Sequence, residues 1–168
     1  HSLLENQVKG DCTLAPLFGA MDFAAQREAI APAIRGRKIV LATSIAETSL
    51  TIPDIKVVVD GGKSRRARFD PSSGMSRLVT ERVTRAEATQ RMGRAGRVSD
   101  GLCYKLWTKG EEGSMAPFPT PEIQATDLAP LALELARWGT SNPIDLPFLT
   151  QPKSADFDQA QIDVKTEF

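Results

Sequence analysis

Apolar residues fall into unbroken runs at 39–42 and 57–59, with further strand-like stretches at 13–18 and 102–107, separated by stretches in which apolar positions recur at helical spacing. Such a run between polar flanks suits a strand buried on both faces of a parallel sheet. The stretch at 13–18 ends at Gly19, and Asp22 then caps a helix whose candidate core positions are Phe23, Ala24, Ile30 and Ile34. Residues 1–9 read as the end of a helix, with Leu3, Leu4 and Val8 on one side and a turn at Gly10 and Asp11. A start in mid-element is expected of an excised fragment. Strands alternating with helices at this spacing predict right-handed βαβ units and an α/β domain.

The period then changes. Residues 65–69 and 76–80 flank Asp70-Pro71-Ser72-Ser73-Gly74, a turn signal that predicts a hairpin. Thr84-Arg85-Ala86-Glu87 is a capping box opening another helix, which breaks by 99–101. Pro117, Pro119 and Pro121 mark a linker over 111–126. From Asp127, Leu128, Leu131, Leu135 and Trp138 recur at helical spacing until Gly139. That stripe predicts a helix facing a core or an inter-domain contact, and the last 16 residues begin another.

The 168 residues are 41% apolar, which suffices for one sizeable core and the beginning of a second unit. No apolar run nears the ~18 residues of a membrane span, and no basic leader precedes an apolar stretch, so a soluble, cytoplasmic protein is expected. Cys12 and Cys103 fit no metal-ligand spacing, and His1 is the only histidine. Zinc and histidine-triad chemistry are therefore disfavoured, and no metal ligands are assigned.

The formal net charge of 0 conceals a segregation: Lys plus Arg against Asp plus Glu is 6 against 7 over 1–62, 10 against 3 over 63–97 and 5 against 11 over 98–168. A local excess of this kind is an electrostatic footprint for phosphates. Its densest part is QRMGRAGR at 90–97, with arginines at 91, 94 and 97. On a helix, three residues advance by about 300°, so the arginines would share one slowly drifting cationic face. Arginine's planar fork matches phosphate oxygens two at a time. Two glycines, each costing a helix about 1 kcal/mol relative to alanine, point to close approach of a phosphate or another chain.

A second candidate lies at 42–52, where Thr43, Ser44, Thr48, Ser49 and Thr51 place five hydroxyls just past a strand's carboxyl end. In open α/β sheets ligands bind at that edge. Gly62-Lys63-Ser64 resembles the end of a phosphate loop, but Val57 occupies the required earlier glycine position and a hairpin follows instead of a helix.

The string at 90–97 resembles motif VI of the superfamily 2 helicases, usually written QRxGRxGR. Residues 42–52 resemble motif V of their DEAH type, commonly ATNIAETSLTI. Ser44 stands where asparagine is usual, and Pro53 where an acidic residue is common. With the hairpin and the Pro121-Glu122-Ile123 stretch, the motifs follow family order over about 11–152. The chain thus resembles the DEAH/DExH helicases, with the bacterial HrpB-like branch nearest.

The resemblance implies a second RecA-like domain over 1–110, three-layered with a mostly parallel sheet and a β-hairpin insertion. It further implies a linker over 111–126, and over 127–168 a helical linker toward a truncated winged-helix region. By motif position Gln90, Arg94 and Arg97 are catalytic, the arginines neutralising charge on the γ-phosphate of ATP and Gln90 helping to place the attacking water. Ser49 and Thr51 respond to the ATP state. Nucleic-acid contacts are implied for Gly19, Thr43, Ser44 and Thr48, and for the hairpin residues Arg65, Arg66 and Arg68.

No Gly-Lys-Thr phosphate loop and no Asp-Glu-x-His strand occur in these residues. In the family both belong to a first RecA-like domain, which would hold most of the ATP and its Mg²⁺. The expected partners are single-stranded RNA or DNA and that first domain of the same polypeptide. The isolated chain is expected to be monomeric and inactive. The competing reading is a noncatalytic RNA- or protein-binding RecA-like module.

Overall fold

In the computed structural model, which describes residues 1–8, 10–48 and 50–167, the stretch at 13–18 becomes strand β1 (Cys12–Leu17), preceded by one turn of helix, α1 (Ser2–Glu5). Helix α2 (Phe23–Ile30) starts as expected, with the Asp22 carboxylate accepting the Ala25 N–H at 2.8 Å. It then stops early. Ala31 precedes Pro32, which disfavours helical backbone at the residue before it, and Ala31 has turned to ψ 148°. Ile34 therefore falls outside the helix and is 98% exposed, Phe23 is 83% exposed, and Ala24 is exposed as well. Of the anticipated positions only Ile30 packs against the core, partly buried, and the fully buried position of the helix is Ala29.

Strand β2 (Arg37–Ala42) pairs with β1 in parallel, Cys12 opposite Arg37 and Leu17 opposite Ala42. Ala15, Leu17 and Ala29 form a core flanked by Ile30, Val40, Ile45, Ala46, Leu50 and Ile52. Past β2 comes α3 (Ile45–Thr48), then β3 (Val57–Asp60), which pairs in parallel with β6 (Leu102–Lys105). The α/β class with parallel strands follows the sequence. Burial of these strands on both faces does not: Val57 and Val59 are exposed, as are Leu102 and Tyr104 opposite them, because among the described residues each of these parallel ladders has two strands. Asp60 ends β3 on the other face and is buried.

Between β3 and β6 run the hairpin strands β4 (Lys63–Asp70) and β5 (Met75–Arg82) and helix α4 (Arg85–Met92). Gly62, at φ 69°, makes the turn into β4, and a Cβ there would meet the Trp107 ring at 2.9 Å. The capping box forms: the Thr84 hydroxyl accepts the Glu87 N–H at 3.3 Å, and the Glu87 carboxylate accepts the Thr84 N–H at 2.7 Å. Two further first-turn donors, the N–H groups of Arg85 and Ala86, reach the carbonyls of Ala116 and Pro117 at 2.9 and 3.1 Å. The donors that a helix start leaves open are thereby filled. Helix α5 (Lys109–Gly113) leads to Met115, which packs with Val83 and Ala88.

The chain forms two compact units, His1–Ser64 with Arg82–Pro119, and Arg65–Glu81 with Thr120–Phe168. The stretch expected as a linker is thus divided between them. In the second unit the Asp127 carboxylate accepts the Ala129 N–H at 2.9 Å and opens α6 (Ala129–Arg137), and Gly139 follows at φ 86°. Leu128, Ala132 and Leu135 pack against Phe157 and Ala160 of α7 (Ser154–Glu167). Trp138 is 75% exposed and does not belong to the stripe, because the helix has ended beneath it. Among the described residues no helix is long and apolar enough to cross a membrane.

The distal hairpin carries its own electrostatics. Arg66 and Arg68, two residues apart on one strand, close on Glu81: Arg68 donates Nε at 2.7 Å and Nη2 at 2.6 Å, and Arg66 donates Nη1 at 3.1 Å. Arg68 foremost, then Arg66, hold the Glu81 carboxyl at about 2. Asp70 in the turn is held at about 2 by Ser72 first and then by Arg77.

Phe157→Ala is expected to destabilise the second unit by about 3–5 kcal/mol, read as a lowered denaturation midpoint. Glu81 and Asp70 have folded values below their ordinary 4.5 and 3.8. Their stabilisation is therefore present above those ordinary values and is lost as pH falls through about 2. Protection of the hairpin amides from hydrogen exchange should decline over that window, and less steeply in Glu81→Gln.

Candidate functional site

The carboxyl ends of β1 and β2 point to the same edge because the two strands are parallel. Gly19 lies just past β1, exposed and with open space about it. Thr43 and Ser44 lie just past β2, also exposed, and the Thr43 N–H donates to the Leu17 carbonyl at 3.0 Å. Three of the residues anticipated for nucleic-acid contact are therefore neighbours at one sheet edge. Thr48 closes α3 with its side chain outside what is described, and Ser49 lies outside the described residues.

The arginines do not form one helix face. Helix α4 ends at Met92 with Gly93 as its cap, and Arg94 and Arg97 sit in the turns that follow. Gly96 has open space around it and no left-handed φ, so neither the turn nor a close approach within the described residues requires a glycine there. The tight place is Gly101, where a Cβ would overlap the Ala95 backbone. The return into β6 is thus pressed against the turn that carries the arginines.

Arg94 reaches back across the sequence to the hydroxyl-rich loop. Its Nε donates to the Glu47 carbonyl at 3.0 Å, its Nη1 to the Leu50 carbonyl at 3.0 Å, and its Nη2 also to the Glu47 carbonyl. Burial first, and then the neighbouring Arg97 charge, push Arg94 below the ordinary arginine value, against the pull of Glu47. It stays charged, as arginine does in proteins. Three bonds from five N–H donors leave two for another acceptor. Arg97 is exposed and donates Nη1 to the Thr51 hydroxyl at 3.1 Å. Gln90 is exposed on α4, with no side-chain hydrogen bond among the described residues.

The structure thus brings Arg94, Arg97 and Thr51 together, joined to the loop that begins at Thr43. In the second unit, Arg66 and Arg68 are engaged by Glu81. The side chain of Arg65 is exposed and makes no hydrogen bond or ion pair among the described residues, so it is available where Arg66 and Arg68 are not.

Reasoning from sequence overlooked two organisers, Glu47 and Asp60, and read Arg91 only as part of a cationic face. Arg91 donates Nε to Glu47 Oε2 at 3.0 Å and Nη1 to Asp60 Oδ1 at 3.0 Å, and Nη1 also lies 3.2 Å from the Lys63 carbonyl. Asp60 Oδ1 further accepts the Gly62 N–H at 2.9 Å, while its Oδ2 is buried without a partner. The available signal was an acid closing the Val-Val-Val strand, together with an acid amid the loop hydroxyls. Both are anomalous in otherwise apolar or neutral surroundings and both need a cation. Among the described residues no group of three or more His, Cys, Asp or Glu side chains is placed to hold a metal ion.

Residues 1–99 match the model of the helicase conserved C-terminal domain. The chain is 48% identical over 150 residues to the ATP-dependent RNA helicase HrpB of Escherichia coli, a match covering 89% of this chain and 18% of that protein. It is 39% identical over 148 residues to the human ATP-dependent RNA helicase DHX33, covering 88% of this chain and 21% of that one. A crystal structure of the E. coli DExH-box NTPase HrpB superposes with a TM-score of 0.91 at 44% identity, over 98% of this chain and 20% of that chain. The chain spans about a fifth of the length of these relatives. With the family model matching more than half of it, and with the fold shared almost end to end, the chain belongs to the helicase conserved C-terminal domain family, within the DEAH/DExH helicases.

Proposed function

We propose that the chain is the C-terminal RecA-like half of an ATP-dependent RNA helicase, acting on single-stranded RNA or DNA. A preceding domain of the same polypeptide would bind ATP and its Mg²⁺. In this reading Arg94 and Arg97 face the γ-phosphate across the domain interface, and Gln90 helps to place the attacking water. Thr43, Ser44, Thr48 and Gly19 hold the nucleic-acid backbone. Ser49 and Thr51 respond to the nucleotide. The α6–α7 pair leads toward a winged-helix region.

The observation that carries the reading is the attachment of the arginine turn to the hydroxyl-rich loop by Arg94 and Arg97. Two Arg94 donors and most of those on Arg97 are left for an outside acceptor. A charged, pre-oriented guanidinium stabilises charge developing on a transferred phosphoryl group without reorganising at the moment of reaction. Because the same turn holds the loop past β2, a change at the phosphate is transmitted to the sheet edge where the nucleic acid would lie. Sequence-tolerant contact with phosphates and sugars there suits a motor that moves along any strand.

The test is RNA-stimulated ATP hydrolysis by the full-length parent protein, native against Arg97→Ala. Arg97 makes a single side-chain hydrogen bond among the described residues, so its removal leaves α4 anchored through Arg91 and Arg94. Turnover is expected to fall by about a hundredfold or more with RNA affinity retained. Unchanged turnover would favour the noncatalytic module.

A further inference from the structure

Arg91 is the arginine of the 90–97 string to which the family resemblance gives no role, and it is the one that reaches two acids at once. Its side chain is 18% exposed, against 10% for Glu47 and 3% for Asp60. The two acids come from different elements, Glu47 from the single turn of α3 and Asp60 from the end of β3. Arg91 itself stands in the last turn of α4, immediately before the cap that releases Arg94 and Arg97. One guanidinium therefore pins the origin of the arginine turn to a strand end and to the hydroxyl-rich loop together.

Glu47 is held at both of its polar ends. Arg91 takes its carboxylate, and Arg94 takes its carbonyl. Neither α3 nor the end of α4 can shift against the other without breaking bonds at both ends of that one residue. Withdrawal of Arg91 itself would also leave Asp60 with a buried carboxylate and no cation, an arrangement far more costly than the pair itself. The geometry depends on the planar fork. Arginine's Nε and Nη1 serve Glu47 and Asp60 from separate points, whereas lysine offers three donors from one atom and cannot span both in the same way.

We infer that Arg91 is a positioning residue that makes α3 and the arginine turn move as one body, so that nucleotide at Arg94 and Arg97 alters the grip of Thr43 and Ser44 on the nucleic-acid strand. The inference rests on the function proposed above and adds a residue that carries the coupling, with Glu47 as its acceptor. Arg91 touches neither ligand in this account and acts only through Glu47, Asp60 and the elements that bear them.

The experiment uses the full-length parent protein and a fluorescently labelled single-stranded oligouridylate. Its dissociation constant is measured with and without a non-hydrolysable ATP analogue and Mg²⁺, beside kcat and KM for ATP with saturating RNA. Coupling in the native protein should be on the order of 5- to 150-fold in RNA affinity. In Arg91→Lys, which keeps the charge and loses the fork, that ratio is expected to fall to within about twofold of unity. The RNA-stimulated kcat should fall with it, while KM for ATP stays close to native.

Glu47→Gln leaves Arg91 paired with Asp60 and retains a neutral acceptor, so it serves where Arg91→Lys folds poorly; it is expected to lower the ratio in the same direction. A variant that melts at lower temperature yet keeps the native ratio would show a purely structural role and overturn the inference. Native coupling together with unchanged coupling in both variants would overturn the inference and leave the proposed function standing. Absence of nucleotide-dependent RNA affinity in the native protein would overturn both.

Discussion

Arginine donors closing on the carbonyl end of a one-turn helix are the interaction on which the site depends. Helix α3 has four residues, too few to be stable alone, and a helix end leaves carbonyls without intrahelical partners. Arg94 fills the Glu47 and Leu50 carbonyls, and Arg91 binds the Glu47 carboxylate. The loop past β2 therefore takes its shape from residues more than forty positions later in the chain. The arginines in turn are oriented by what they hold. Two segments that a phosphate and a nucleic-acid strand would have to address separately become a single object.

That object needs a fixed frame, which α4 supplies. Its start is locked by the Thr84–Glu87 capping box and by the carbonyls of Ala116 and Pro117, and Val83 and Ala88 pack with Met115 beneath it. Its end is locked by Arg91 to the buried Asp60. A helix fixed at both ends delivers the following turn to a defined place. Gly101, pressed against Ala95, keeps the chain from drifting away on the far side.

Local chemistry was readable in the sequence, and tertiary consequences were less so. The Asp22 cap, the Thr84 capping box and the turn at 70–74 depend on residues within a few positions of one another, and all formed. Parallel strands followed from unbroken apolar runs, but their burial did not, since Val57 and Val59 face outward on a two-stranded ladder. Helical spacing carried Ile34 past the stop that Pro32 imposes, and carried Trp138 one residue past Arg137, where α6 ends. For the site, the arginine string and the hydroxyl loop were each visible, yet helical period suggested a shared face that the Gly93 cap breaks. Glu47 and Asp60 were visible as acids in neutral or apolar surroundings, but their shared partner, 44 and 31 positions later, leaves no local pattern. The neutralisation of Arg66 and Arg68 by Glu81 was hidden for a similar reason, since counting charges along one hairpin arm omits the acid on the other.

The central claim is that the arginine turn completes a nucleotide site whose other half lies on another domain. The most direct measurement is a structure of the full-length parent protein with single-stranded RNA, Mg²⁺ and ADP–aluminium fluoride, the fluoride standing in for the transferring phosphoryl group. The account predicts that the guanidinium groups of Arg94 and Arg97 lie within hydrogen-bond distance of the fluoride, about 2.7–3.2 Å, while Arg91 still joins Glu47 and Asp60. A fluoride reached by no side chain of this region, with both arginines still engaged only by Glu47, Leu50 and Thr51, would contradict it.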